Sequence, residues 1–296
     1  MIYYHREKES LLDLTSAIQA HSGDSTVTYK KFSNEELSLS YYYPECYQTY
    51  NKTFPAIIFI HGGGWSSRKI FPDQNGVWQG DHLGYLARFF SQKGYVSVSV
   101  DYRLIKEAGQ KAEYQIIDCV DDCADAVHYI LQHATEHKID AERVCLVGES
   151  AGGHLAAMLA TRYRFSNFRF KTIFLFNSIL NFEIDAKWET RIPKQSIHPM
   201  LRNKSLRARE AYLSPEKAVH YNMQPVVLFH GDCDTTVDKL HSERFYCAMK
   251  SFGLPCDIHL MENAQHAFLL AEYTTQQDIC KNAILILEKT LNDMTL

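Results

Sequence analysis

Two glycine-bearing segments hold the residues best placed for chemistry. In Gly148-Glu149-Ser150-Ala151-Gly152 a serine has glycine two positions away on either side, between the apolar run Arg143–Val147 and an alanine-rich stretch. A strand that turns at once into a helix needs this pattern, because side chains at the flanking positions would strike the neighbouring strand and helix. The turn lifts Ser150 above the sheet edge, at the positive end of a helix. G-x-S-x-G can also arise as a purely structural turn, so the strand-turn-helix setting carries the weight. The second segment, His61-Gly62-Gly63-Gly64-Trp65, follows an apolar strand ending at Ile60. Consecutive glycines leave backbone N–H groups uncovered. Acyl transfer needs such donors aimed at the developing oxyanion, each worth about 3–4 kcal/mol. Gly63 and Gly64 are the candidates, with the Ala151 N–H as a third donor. No Lys-Ser/Thr pair follows the glycines, and their spacing is not G-x-G-x-x-G, so a phosphate cradle is disfavoured. His61 precedes the glycines and is expected to brace the loop.

A serine nucleophile needs a base, and fourteen histidines compete. In a doubly wound sheet chemistry gathers at the carboxyl ends of strands. His266 lies there, on the short loop after the strand Asp257–Met261. His230 also ends a strand but precedes the acid candidates and is expected to pack. His154 lies one turn into the helix after Ser150, facing away from a substrate. The acid should follow the strand Pro225–Phe229, where Asp232, Asp234 and Asp238 all qualify. Asp232 is nearest the strand and suited to bonding turn amides, whereas Asp234 lies further out, where it can reach across to the histidine.

The elements that must position these residues alternate. Thr26–Phe32 and Leu37–Tyr43 read as a hairpin. Pro55–Ile60, Tyr95–Val100, Arg143–Val147, Thr172–Phe176, Pro225–Phe229 and Asp257–Met261 read as buried strands. Helices are expected over Leu83–Gln92, Gln115–His133, Ala151–Arg162 and Thr274–Leu291. The second is the clearest, with Ile116, Val120, Cys123, Val127 and Ile130 at three- and four-residue steps. This order means a mostly parallel sheet with helices on both faces, entered through an antiparallel hairpin. Between Asn181 and Asn222 the alternation stops, and a small polar cap insertion at about 182–221 is expected within a single domain.

Composition bounds the rest. The 296 residues are 46% hydrophobic and 22% charged with a net charge of −4, enough for a large core and without a field for nucleic acid or anionic lipid. The substrate is expected to be a small molecule, with no nucleic-acid or membrane partner. Met1–Ser10 carries charges where a leader needs an apolar run, and no stretch nears the roughly 20 apolar residues of a membrane span. A cytoplasmic location is the expectation, and eight scattered cysteines without a CxxC pair agree with it. Cys119 and Cys123, four apart on the apolar helix face, are expected to pack the core rather than bind metal.

With these motifs in place, the chain resembles the HGGG-bearing branch of the α/β-hydrolase superfamily, which includes hormone-sensitive-lipase-like esterases and bacterial acetyl and feruloyl esterases. The likeness runs from about Thr26 to Leu291. His61–Trp65 is similar to the family's oxyanion loop, Asp101-Tyr102-Arg103-Leu104 to its D-Y-R-L strand end, and Gly148–Gly153 to its nucleophile motif. Tyr212-Leu213-Ser214-Pro215 resembles the segment entering the acid strand. His230-Gly231-x-x-Asp234-x-x-Val237 resembles the acid motif, and the resemblance thereby selects Asp234. Gln265-His266-Ala267-Phe268 resembles the histidine loop, with Ala267 where glycine is usual. Two departures bear on substrate: Ile105-Lys106-Glu107 replaces the expected Pro-Glu, and Ser66–Gly84 is longer than the usual loop.

The resemblance implies a serine carboxylesterase that works through an acyl-enzyme without metal or organic cofactor. Ser150 would be the nucleophile, His266 the base and Asp234 the orienting acid. Short acyl esters are the expected substrates, acetyl groups on carbohydrates among them, with Trp65 and Trp78 walling the acyl slot. An amide-cleaving relative is the second reading, and a non-catalytic binding protein reusing the fold is the third.

Overall fold

Strand β4 shows why a continuous apolar run is needed at the centre of this protein. In the computed structural model Ala56, Ile58 and Ile60 point into one hydrophobic cluster while Ile57 and Phe59 point into another, so both faces of the strand are covered. Residues 2–4, 23–32, 35–49, 51–67, 83–105, 114–163, 165, 168–184, 211–266, 268–269 and 276–295 are described. In chain order the elements are β1 Ile2–Tyr4, β2 Ser25–Lys31, β3 Glu36–Tyr42, β4 Phe54–Ile60, α1 Gly84–Gln92, β5 Val96–Val100, α2 Ile116–Gln132, β6 Ile139–Glu149, α3 Ala151–Arg162, β7 Ile173–Phe176, β8 Val226–Gly231, α4 Leu240–Ser251, β9 Cys256–Met261 and α5 Gln277–Thr295.

The strands form one sheet in the order β1-β9-β8-β7-β6-β4-β5-β3-β2. All neighbours are parallel except β2 with β3 and β3 with β5. Helices α2, α3 and α4 cover one face, and α1 and α5 the other. From β4 the chain first moves outward to β5, then returns to place β6 on the other side of β4 and continues through β7, β8 and β9. The carboxyl ends of β4 and β6 therefore flank the point where strand order reverses, the position at which such sheets open a crevice. The glycine loop leaves β4 there and Ser150 leaves β6.

The hairpin, the parallel strands and the long amphipathic α2 lie where the sequence pattern puts them. Two elements were not anticipated. β1 pairs in parallel with β9, and α4 fills the connection between β8 and β9. The expected cap falls mainly on residues 185–210, outside the described residues. Cys119 and Cys123 are buried on the core side of α2, and among the described residues no cluster has a metal-binding arrangement. Among the described residues, no helix is long and apolar enough to cross a membrane.

One ionic anchor lies close to the site. Asp122 on α2 is fully buried, and its carboxylate accepts from the Arg103 backbone N–H at 3.0 Å, from Arg103 Nε at 2.7 Å and from Lys30 Nζ at 2.7 Å. It thereby fixes the segment after β5, whose Tyr102 hydroxyl donates to the carbonyls of His61 and Gly62 beneath the glycine loop. Removing one partner of a buried pair leaves the others charged and dry, which costs about 3–5 kcal/mol. Lys30 reaches partly into water, so Asp122→Ala should lose about 3 kcal/mol in urea denaturation. A loss below about 1 kcal/mol would show that the anchor contributes little.

Candidate active site

The turn after β6 is built by backbone packing. Ser150 has φ 53° and ψ −118°, a conformation that is strained for a residue with a side chain and persists only where its surroundings enforce it. Its N–H donates to Phe176 O at 2.8 Å, and its carbonyl accepts the first helical bond from His154 N at 3.1 Å. A Cβ on Gly152 would collide with the carbonyl oxygens of Ile60 and His61, so only glycine allows α3 to sit this close to the end of β4. Ala151 is the first residue of α3, and its N–H has no intrahelical acceptor.

The glycine loop is equally constrained. Gly63 has φ +89° and its missing Cβ space is filled by Ser67 O. Its own carbonyl accepts from Ser66 N and Ser67 N, both at 3.1 Å. His61 is buried, stacks on Tyr102 at 4.3 Å between ring centroids and approaches Gly62 O through Nδ1 at 2.8 Å. It thus sits within the loop's support.

Three residues from distant parts of the chain come together at the carboxyl edge. His266 Nε2 lies 3.0 Å from Ser150 Oγ, and His266 Nδ1 lies 2.7 Å from Asp234 Oδ2. Asp234 Oδ1 accepts from Thr236 N at 2.8 Å and Val237 N at 2.9 Å, so both oxygens of this buried carboxylate are engaged. Burial pushes its pKa up, but hydrogen bonds from His230 and His266 outweigh that and hold the carboxyl well below the usual range. The other two acid candidates have different duties. Asp232 N continues the ladder from β8 to β9 by donating to Met261 O at 3.1 Å, while Asp238 Oδ1 accepts from Leu240 N at 2.9 Å at the start of α4. A carboxylate, an imidazole and a hydroxyl in series can move the hydroxyl proton to the imidazole as the oxygen attacks an acyl carbon.

The aromatic wall requires a correction. Trp65 was expected to face the acyl group, yet its side chain is fully buried. The ring meets His154 edge-on at 5.2 Å and stacks with Phe182 at 5.9 Å. The residue has φ 57°, and this left-handed backbone turns the ring into the core instead of toward a slot. Trp78 lies outside the described residues, as does Ala267.

Two histidines carry more than the sequence reading gave them. His230, next to last in strand β8 before the acid loop, is fully buried with Nε2 3.4 Å from Asp234 Oδ2. His154 Nε2 binds Leu213 O at 2.8 Å, so it joins the helix after Ser150 to the limb that returns from the insertion. The four-residue step from His230 to Asp234 within the acid motif was the available signal for the first. No local pattern marks the second, because its partner is far away in sequence.

The BD-FAE family model matches residues 40–249. The chain belongs to the BD-FAE family. Its α/β-hydrolase fold is shared with a thermophilic esterase of the Planctomycetes species Thermogutta terrifontis, Est2, which superimposes with a TM-score of 0.70 at 26% identity over 91% of each chain. The butyrate-bound form of Est2 matches with a TM-score of 0.70 at 27% identity, covering 91% of this chain and 95% of that one. Est2 has also been solved phosphoramylated by tabun. A probable isoprenylcysteine alpha-carbonyl methylesterase of Oryza sativa subsp. japonica is 23% identical over 251 residues, 74% of this chain and 52% of that protein. The chain spans about half, or much less, of the length of the curated relatives it matches.

In this BD-FAE member two imidazoles are buried uncharged. Burial pushes His154 down to about 4, and burial together with the nearby His230 pushes His241 down to about 3. In the unfolded chain each returns to about 6.5. Between those limits the unfolded state binds protons that the folded state refuses, so stability must fall as pH falls from about 6.5 toward 4. Asp234 acts in the same direction but only below about pH 4, where protonation of the unfolded carboxyl removes the contribution of its depressed folded pKa. Urea midpoints should therefore drop between pH 7 and pH 4 by the equivalent of about 3 kcal/mol or more, from a linkage of 1.36 kcal/mol per pKa unit. His154→Gln should flatten that slope. A midpoint that stays level over this range would contradict the neutral burial.

Proposed function

We propose that this BD-FAE protein is a serine esterase acting on small-molecule esters with short acyl groups. One observation carries the reading: Ser150 Oγ, His266 and Asp234 form a continuous hydrogen-bonded series, with separations of 3.0 Å and 2.7 Å. Ser150 attacks the ester carbonyl while His266 Nε2 takes its proton, and Asp234 holds the Nδ1–H tautomer and stabilises the imidazolium. The negative charge that develops on the carbonyl oxygen is met by the N–H groups of Gly63, Gly64 and Ala151. The C–O bond to the alcohol then breaks and His266 gives its proton to the departing oxygen. Water, deprotonated by the same imidazole, releases the acid and restores Ser150.

Support for the bond type comes from the neighbours named above, which are an esterase and a methylesterase. Est2 is solved with butyrate and with propionate, and both are small acids of the kind that hydrolysis of a short acyl ester releases.

Ser150→Ala should lower kcat by at least about a thousand-fold while leaving the denaturation midpoint near wild type. Asp234→Asn should cost about ten-thousand-fold because the amide favours the wrong imidazole tautomer, and Asp232→Asn far less. If the Asp232 variant proves the inactive one, the assignment of the acid is wrong by two residues. For acyl length, kcat/KM on p-nitrophenyl esters should be highest from acetyl to butyryl and lower for octanoyl. A pocket that could bury the added chain would gain about 0.8 kcal/mol per methylene, so a rate climbing steadily to eight carbons would overturn the short-acyl reading.

A further inference from the structure

We infer that His230 is a positioning residue for Asp234: its Nε2–H donates into the carboxylate oxygen that also receives His266, and so sets how strongly that carboxylate holds the base. The inference rests on the reading of Ser150, His266 and Asp234 as the working groups.

The geometry around His230 leaves little choice. The side chain is fully buried near the end of β8, where no water competes for its bonds. Nε2 faces two oxygens that can only accept, Val237 O at 3.0 Å and Asp234 Oδ2 at 3.4 Å. Nε2 must therefore carry a proton, shared between the two. Nδ1 lies 2.7 Å from Ser242 Oγ on α4, a contact that fixes the ring plane. The branch to Asp234 is long for a hydrogen bond, but in a dry site a partial positive charge at this distance still draws electron density.

The two oxygens of Asp234 are thereby given separate tasks. Oδ1 is pinned by the amides of Thr236 and Val237, which fixes the plane of the carboxylate. Oδ2 is divided between two imidazoles. Val237 closes the circuit, since its N–H donates to Asp234 and its carbonyl accepts from His230. Among the described residues, the charged and titratable groups around the carboxylate are His230 from β8, His266 from the loop after β9, Asp232 and Asp238 from its own loop, and His241 from α4 beyond His230. Of these, His230 is the one that puts a second donor on the oxygen used by His266.

Removing that donor returns charge density to Oδ2, which strengthens its hold on the His266 imidazolium. The proton on His266 then becomes harder to remove, and the pH at which His266 is half-neutral moves up. The test is an NMR titration of the His266 ring in wild type, His230→Leu and His230→Gln, with kcat/KM against pH measured alongside. Leucine fills the space without a donor, whereas glutamine returns an N–H close to the position of Nε2. The expected result is a His266 midpoint raised by about half a pH unit or more in His230→Leu and within about 0.2 of wild type in His230→Gln. The acid limb of the rate profile should follow. An unmoved midpoint in His230→Leu, or an equal shift in both variants, would overturn the inference, the latter because it reports packing alone. Should the leucine variant fail to fold, 15N spectra of the wild-type histidines decide: His230 must carry its proton on Nε2 throughout the His266 titration, and a proton on Nδ1 alone refutes the proposal. The titration needs no substrate. A shift without ester hydrolysis would thus uphold the positioning role while sinking the esterase reading, and hydrolysis without a shift would do the reverse.

Discussion

The backbone of Gly152 rests directly on the carbonyl oxygens of Ile60 and His61, and most of the site follows from that contact. It brings the first turn of α3 against the end of β4, so that the two glycine-bearing segments become neighbours although ninety residues separate them. The chain can reach this position from β6 only through a one-residue turn, and Ser150 takes the strain of it. Among the described residues, non-glycine positions with positive φ are Trp65, Lys138, Ser150, Asn177 and Asn263. All but Lys138 sit just beyond the carboxyl ends of β4, β6, β7 and β9. Strain is thus concentrated at one edge of the sheet, which is where unfavourable backbone conformations persist when a site over-determines them.

Electrostatics at that edge depends on dryness. A carboxylate buried as deeply as Asp234 would normally take up a proton, and its four hydrogen-bond donors prevent this. The histidines nearby solve the opposite problem, since a buried imidazolium without a carboxylate partner is more costly than a neutral ring. His241 illustrates the solution. Its Nδ1 accepts from Leu180 N and Asn181 N, both at 3.1 Å, and an atom that accepts two N–H bonds cannot itself hold a proton. His230 and His266 differ from it in turning a ring nitrogen toward a carboxylate oxygen, Asp234 Oδ2.

What the sequence made legible was whatever depends on local sterics. The turn at Ser150, the glycine loop and the period of α2 are each written in consecutive residues, and the sheet follows from the alternation of apolar runs with helices. Helix α4 was obscured because its buried positions are His241, Ser242, Phe245 and Met249. The four-residue step is present, but two polar residues stand where an apolar stripe was sought, and their burial makes sense only beside His230 and the limb at Leu180. β1 is three residues long, too short for any periodicity. The acid shows the same limit. Spacing alone left Asp232, Asp234 and Asp238 open, because the choice depends on a turn in which Asp234 accepts its own loop's amides. Only likeness to a known motif singled it out. Trp65 failed for a related reason, since its ring direction depends on a positive φ that residue type does not announce.

The insertion between β7 and β8 is held at its neck by α3 and α4, the helices that follow Ser150 and Asp234 in the chain. The outgoing limb gives the Leu180 and Asn181 amides to His241 and the Phe182 amide to Ser214 Oγ at 2.9 Å. Asn181 Nδ2 also donates to Glu216, which Arg244 of α4 approaches at 3.0 Å. The returning limb accepts from His154 at Leu213 O and from Arg162 at Ala211 O. Chain leaving a sheet edge has backbone groups without ladder partners, and when buried they must find others. Here α3 and α4 supply them, so the neck cannot shift without disturbing the helix that begins at Ser150 and the one that follows Asp234. His154 makes the link tightest. The same buried ring that binds Leu213 O lies edge-on to Trp65 of the glycine loop and to Phe182 of the outgoing limb. The neck of the insertion is thus joined by ring contacts to the loop carrying Gly63 and Gly64.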